Sequence, residues 1–271
     1  MVISAGETVN AAGPAMIEET PKGTPSPTPH PTKILVVDIG GTKIKVLASG
    51  QTEPAKTVSG KTLTPAKMVE AVKELTKDWE FDAVSIGYPG MVGSHGPRSE
   101  PGNLGAGWVG FNFAAAFDRP VRVINDAAMQ ALGSYEGGRM LFLGLGTGLG
   151  SALIAESTII PLELGQLQHK DGSLGEVLGK KGLERLGKEA WSVAVKEAVT
   201  ALTLAFVVDY VVLGGGNAKK MKGQLPGIRM GHNLTAFRGG LRLWNIEHVP
   251  TLSAEGDQKA PSRPVSDWRV I

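Results

Sequence analysis

The sequence predicts an α/β fold built from two similar halves that face each other across a cleft. Strand-like runs alternate with helical periodicity through the first half, which implies helices layered on sheet. A strand, a glycine turn and a second strand then occur twice, at an offset of 106 positions that lays Gly144 over Asp38, and such duplication points to paired units. Glycine supplies 37 of the 271 residues, against a usual share of about 7%, so part of the fold needs backbone freedom or close backbone approach.

Residues 1–32 carry Glu7, Glu18, Glu19 and a Thr/Pro-rich run without a continuous apolar core, which reads as a mobile tail rather than a signal peptide. Residues 34–38 (ILVVD) are β-branched and apolar, as in a buried strand; Gly40 and Gly41 turn the chain, and residues 43–47 alternate polar and apolar as a second strand. Over residues 64–78, Met68, Val69, Val72 and Leu75 recur at helical spacing, with Thr64 as N-cap and Pro65 in the first turn. Residues 83–90 read as a strand followed by a long Gly-rich loop. Residues 121–126 read as a further strand running into a helix from 127 to about 135. The second glycine hairpin (141–154), a helix over 191–206 and a buried strand over 207–216 follow, with Asn217 placed to cap a helix that starts at Ala218. The expected division is a first α/β half over 33–125, a second over 126–250 and a loosely held tail over 251–271.

Lys and Arg number 28 and Asp and Glu 26, a net charge of +2 with 42% hydrophobic residues. This balance offers no nucleic-acid footprint and no charged membrane patch. The longest uncharged stretch, 140–155, is shorter than the roughly 20 residues of a spanning helix and rich in glycine. Cys is absent, which removes disulfides, thiolate metal sites and cysteine nucleophiles and suits a reducing, cytoplasmic compartment. The five His are scattered, so no metal site is assigned to the protein itself.

Asp38-Ile39-Gly40-Gly41-Thr42 places a carboxylate at the end of a buried strand, beside exposed backbone N–H groups and a hydroxyl. Such a turn can cradle phosphate oxygens, the carboxylate reaching a metal through water; an ordinary tight hairpin would use the same residues. The second turn, Gly144 to Gly150, has glycine at every second position, which is not dinucleotide-binding spacing, and no Walker-type loop occurs. Asn125-Asp126 falls where a strand meets a helix N-terminus, so Asp126 is either a helix cap or a carboxylate placed at a cleft to accept a proton. Glu163, Gln166, His169, Asp171 and Glu176 share a Gly-rich segment and are either sugar-hydroxyl acceptors or loop charges.

Together these segments resemble the ROK family of sugar kinases (repressors, open reading frames, kinases), especially its polyphosphate-glucokinase-like branch. The matching motifs are DIGGTKIKV (38–46), GYPGMV (87–92), PGNL with Trp108, VINDAAMQALG (123–133), GLGTGLGSALI (144–154), PLELGQL (161–167) and VVLGGGNAKK (211–220). The resemblance implies a two-domain, actin-like (ribonuclease-H-like) fold with the active site in the interdomain cleft. It makes Asp126 the general base toward a hexose 6-hydroxyl, and Asn103, Asn125, Asp126, Glu163, Gln166 and Glu176 the sugar ligands. Asp38, Gly40, Gly41, Thr42, Lys43, Gly146, Thr147, Gly148, Gly214, Gly215 and Gly216 would take the phosphoryl donor, ATP or polyphosphate, with Mg²⁺; a homodimer is the family-like assembly. Two departures stand out. Glu163-Leu164-Gly165-Gln166 has Gln where the family usually has His, and a chain without Cys lacks the structural zinc motif of many members. Gln166 leaves sugar choice open and keeps a second expectation in view, a non-catalytic sugar-binding or regulatory relative. Residues 1–32 are too short and Pro-rich for the helix-turn-helix of the family's repressors.

Overall fold

The computed structural model describes residues 31–156, 158–223, 227–232, 234–246, 249, 251–254 and 269–270. The expected tail at 1–32 thus lies, apart from Pro31 and Thr32, outside the described residues.

The first sheet runs β3-β2-β1-β4-β7. β1 (Ile34–Ile39), β2 (Lys43–Ala48) and β3 (Ala55–Val58) form an antiparallel meander, while β4 (Ala83–Tyr88) and β7 (Val121–Asn125) continue parallel to β1. α1 (Pro65–Leu75) starts where the sequence predicts, with the Thr64 hydroxyl accepting from the Lys67 N–H at 3.4 Å. The long loop contains a small ribbon, β5 (Val92–Gly93) with β6 (Gly96–Pro97), and α2 (Phe113–Phe117). α3 (Asp126–Ser134) leads to the second sheet, ordered β14-β13-β8-β9-β10-β15. There β8 (Met140–Leu145), β9 (Leu149–Ala155) and β10 (Thr158–Leu162) repeat the meander, and β13 (Tyr210–Gly214) and β14 (Ile228–Met230) extend it in parallel. Between β10 and β13 lie the ribbon β11 (Gln168–His169) and β12 (Gly172–Ser173), then α4 (Leu174–Leu178) and α5 (Lys180–Phe206). α6 (Thr235–Arg242) follows β14, and β15 (Arg269–Val270) closes the sheet edge on β10.

The continuous apolar runs arise because both sheets are covered on both faces. In β1, Leu35, Val37 and Ile39 pack with Met68 and Val72 of α1, while Ile34 and Val36 face α3 and α6. In β8, Met140 and Phe142 face α3, and Leu141, Leu143 and Leu145 face α4 and α5. α3 and α6 are therefore the layer between the sheets, and each fully buried Leu, Ile or Val contributes about 1.5–3 kcal/mol.

That middle layer explains a segment with no sequence reading, residues 236–244. α3 and α6 touch backbone to backbone: a methyl on Gly133 would overlap the Thr235 carbonyl, and one on Gly239 the Met129 carbonyl. Arg242 Nη1 donates to the carbonyls of Leu132 (2.8 Å) and Tyr135 (2.9 Å), ending α3. Ser85, buried in β4, donates to the Gly240 carbonyl at 2.7 Å and accepts from Trp244 Nε1 at 2.8 Å. Arg122 lies over the Trp244 ring, 4.5 Å from its centroid, and donates to the carbonyls of Leu243 and Ile246 at 2.6 and 3.0 Å.

Three local expectations change. α5 begins at Lys180 rather than near Trp191, broken at Gly187 (φ 73°). Residues 218–220 form a single 3₁₀ turn without a side-chain cap from Asn217. Within 251–271, Leu252 bridges Val121 and β15 joins the sheet. Among the described residues no helix is long and apolar enough to cross a membrane.

Candidate active site

Asp126 is the first residue of α3, directly after the end of β7, where the helix N-terminus favours its charged form. Its own Oδ1 accepts from the Ala127 N–H at 2.8 Å. Burial outweighs that bond, and the charges of Asp38 and Glu163 add to it, so the carboxyl is pushed up to about 7. A carboxylate poised there can exchange a proton near neutrality.

Asp38 closes β1 and is buried; burial raises its pKa against the pull of Lys45, whose Nζ lies 3.5 Å from Oδ2. Gly40 N–H donates to the Lys43 carbonyl at 3.0 Å, and the Gly40 carbonyl accepts from the Ser59 hydroxyl at 2.5 Å, which pins the turn. Thr42 and Lys43 are exposed at its tip. Asn103 approaches from the long loop, its Nδ2 lying 3.4 Å from where a Gly41 Cβ would stand.

The second turn joins β8 to β9 through Gly146, Thr147 and Gly148. Its carbonyls point into protein: Gly146 O accepts from the Lys180 N–H (3.0 Å) and from Asn217 Nδ2 (2.9 Å), and Thr147 O from the Lys180 N–H (3.2 Å). Asn217 N–H donates to Leu145 O at 2.9 Å, so the Gly214–Gly216 turn lies against this loop. Both phosphate-loop candidates of the second half thus come together.

Glu163 is exposed as a residue, while the partial desolvation of its carboxyl raises its pKa, and its charge reaches Asp126. Gln166 is exposed, its N–H donating to the Glu163 carbonyl at 2.9 Å. Glu176 is engaged at the start of α4, where it accepts from the Ser173 N–H at 3.2 Å while Ser173 Oγ accepts from the Glu176 N–H at 3.3 Å. His169 Nδ1 accepts from the Asp171 N–H at 3.4 Å. No group of three or more His, Asp or Glu among the described residues is arranged to hold a metal. The pairing of Lys45 with Asp38 was missed by sequence reasoning, although hairpin register alone sets the two opposite each other. Also missed was Asn217 as a buttress of Gly146, for which no local signal exists.

The ROK family profile matches residues 34–165. The polyphosphate glucokinase of Mycobacterium tuberculosis (strain CDC 1551 / Oshkosh) is 27% identical over 220 residues, covering 70% of this chain and 80% of the relative. The inorganic polyphosphate/ATP-glucomannokinase of Arthrobacter sp. strain KM superposes with a TM-score of 0.67 at 24% identity, covering 80% of this chain and 99% of that one. A ROK family glucokinase of Streptomyces griseus, solved with glucose and AMPPNP, gives 0.58 at 17% identity, covering 78% and 98%. The fold is accordingly the two-domain, actin-like α/β arrangement of these kinases.

Proposed function

We propose that this chain, which the ROK family model matches over residues 34–165, is a hexose kinase that moves the terminal phosphoryl group of ATP or polyphosphate onto a sugar 6-hydroxyl. The observation that carries this reading is Asp126, a carboxyl held near pH 7 at a strand-to-helix junction beside Asp38 and Glu163. Asp126 takes the hydroxyl proton as that oxygen bonds to the terminal phosphorus, and the bridging P–O bond breaks with its electron pair leaving on the donor. Such a base supplies about 10² to 10⁴ in rate, and positioning and charge neutralisation supply the rest.

Asn103, Asn125, Glu163 and Gln166 hold the sugar hydroxyls in this reading, and Glu176 joins them by exchanging its bond to the Ser173 N–H for one to the sugar. The amide of Gln166 can bond a hydroxyl but cannot titrate. Gly40, Gly41, Thr42 and Lys43 face the donor from one side, and Gly146, Thr147, Gly148 and Gly214–Gly216 from the other. Asp38 is a buried carboxyl with Lys45 Nζ 3.5 Å away and the Asp126 carboxyl within range of its charge, which fits Mg²⁺ held through water with the donor phosphates as its remaining ligands. Bound there, Mg²⁺ would neutralise phosphate charge.

The test is turnover of glucose, mannose and N-acetyl sugars with ATP and, separately, polyphosphate, for the native chain and Asp126→Asn. Turnover abolished by the substitution, with sugar affinity retained, supports the kinase. Sugar binding without turnover in the native chain moves the reading to a non-catalytic relative, with Gln166 the first position to revert to His.

A further inference from the structure

The second glycine turn is polarised. Its carbonyls are taken up by protein: Gly146 O accepts from the Lys180 N–H at 3.0 Å and from Asn217 Nδ2 at 2.9 Å, Thr147 O from the Lys180 N–H at 3.2 Å, and Gly148 O from the Gly146 N–H at 3.1 Å. The peptides of this turn are trans, and in a planar trans peptide the C=O of one residue and the N–H of the next point opposite ways. Turning the carbonyls of Gly146 and Thr147 inward therefore turns the N–H groups of Thr147 and Gly148 outward. Both residues are exposed, and neither N–H, nor the Thr147 hydroxyl, meets a partner among the described residues.

Two donors hold this arrangement, and they differ in kind. Lys180 opens α5, so its N–H has no acceptor inside the helix, and the turn supplies one. Asn217 contributes a side chain. It is buried, and its own N–H donates to Leu145 O at 2.9 Å, which fixes its backbone against the end of β8 and aims Nδ2 at the Gly146 carbonyl. Gly146 has open space where a Cβ would stand, and a glycine peptide rotates with little steric resistance. Without Nδ2, the Gly146 carbonyl keeps only the Lys180 N–H, which it shares with Thr147 O, and is free to turn outward, where it would repel phosphate oxygens.

We propose that Asn217 is a positioning residue for the phosphoryl donor: by holding the Gly146 carbonyl inward it presents the N–H groups of Thr147 and Gly148, with the Thr147 hydroxyl, to a phosphate group. Successive backbone N–H groups recognise an anion without reading what it is attached to, so Asn217 serves a nucleotide and an inorganic polyphosphate alike. The proposal rests on the kinase reading only for the identity of that anion as the donor.

The experiment compares the native chain with Asn217→Ala and Asn217→Leu; neither variant has a side-chain donor, and Leu is close to Asn in size. The probes, each measured by calorimetry, are AMPPNP with Mg²⁺, inorganic tripolyphosphate with Mg²⁺, and glucose and mannose. Both variants should lose about 10- to 100-fold in affinity for AMPPNP and for tripolyphosphate, the worth of a hydrogen bond to a charged group, and less than about threefold for the hexoses. The Lys180 N–H, which has only the turn as acceptor, should exchange faster in both. A loss confined to AMPPNP assigns Asn217 to the nucleoside end of the donor and overturns the proposal. So do donor affinities that stay native-like, a hexose loss as large as the donor loss, or native-like exchange at Lys180. If Asn217→Ala does not fold, Asn217→Leu carries the same comparison. If the native chain binds a single donor, loss for that donor together with faster Lys180 exchange supports the proposal, and either without the other overturns it. If it binds neither donor, the kinase reading fails separately, and the exchange decides: acceleration supports a carbonyl held by Asn217 and native-like exchange overturns it.

Discussion

At the end of β1, Asp38 sets a buried carboxylate beside the first glycine turn, with Lys45 opposite it across the hairpin. At the end of β8 the matching position is Gly144, which has no side chain, and the second turn is instead braced from behind by Lys180 and Asn217. The meander is the same in both sheets, yet one copy brings charge to the cleft and the other brings backbone held still. In the proposed site the duplicated hairpin would in this way supply two unlike walls. Changes to side chains that face the cleft should therefore damage the first wall and backbone changes the second.

Between the two walls, the larger effect is expected at Asp38. Asp38→Asn should lower kcat by about 10² to 10³ in assays with saturating hexose, while thermal unfolding shows a Tm no lower than native, because burial already disfavours the charged form. A kcat within a few-fold of native would erase the distinction between the walls.

The pH profile comes next. With Asp126 pushed up to about 7, kcat/KM should fall about tenfold per unit below that pH and level off above it, since the base must be ionised. Stability runs the other way. The native carboxyl binds its proton more tightly than the unfolded one, whose ordinary value is 3.8, so Asp126 lowers stability progressively as pH rises from about 4 to 7. Asp126→Asn should remove that decline, visible as a higher Tm at pH 8 and little change at pH 4.

Two backbone changes sharpen the second wall. Gly215 has φ +80°, and a Cβ there would lie 2.6 Å from the Leu145 carbonyl. Gly215→Ala should cost about 2–4 kcal/mol in denaturant unfolding. Gly146 has open space around a Cβ, so Gly146→Ala should change stability by less than about 0.5 kcal/mol. Its methyl should nonetheless raise donor KM several-fold and leave hexose KM alone, an effect that vanishes if this turn does not face the donor.

Much of this frame was legible in the sequence, for local reasons. Residues 34–39 and 140–145 announce strands because they are apolar on both faces, residues 43–48 because they alternate between buried and more exposed positions, and the Asn125-Asp126 junction is visible as a strand pattern giving way to a helical one. The start of α5 was hidden because residues 180–190 are largely charged and hold Gly182 and Gly187. α6 was hidden more deeply: its glycines answer Met129 and Val36, far away in sequence. In the site, residue types were readable and their competing bonds were not. Glu176 at the head of α4 obeys a Ser-x-x-Glu cap that could have been noticed, whereas the bond of Asn125 to Gly90 depends on a loop path that no spacing rule gives.

The return of α6 to the first sheet also sets a schedule for biosynthesis. Ser85 waits for Trp244 across 159 residues, roughly 8 to 30 seconds at typical translation speeds. Through that interval the emerging chain holds first-sheet strands whose Val36 face still lacks α6, and this apolar surface is open to wrong contacts until the ribosome delivers residues 235–246.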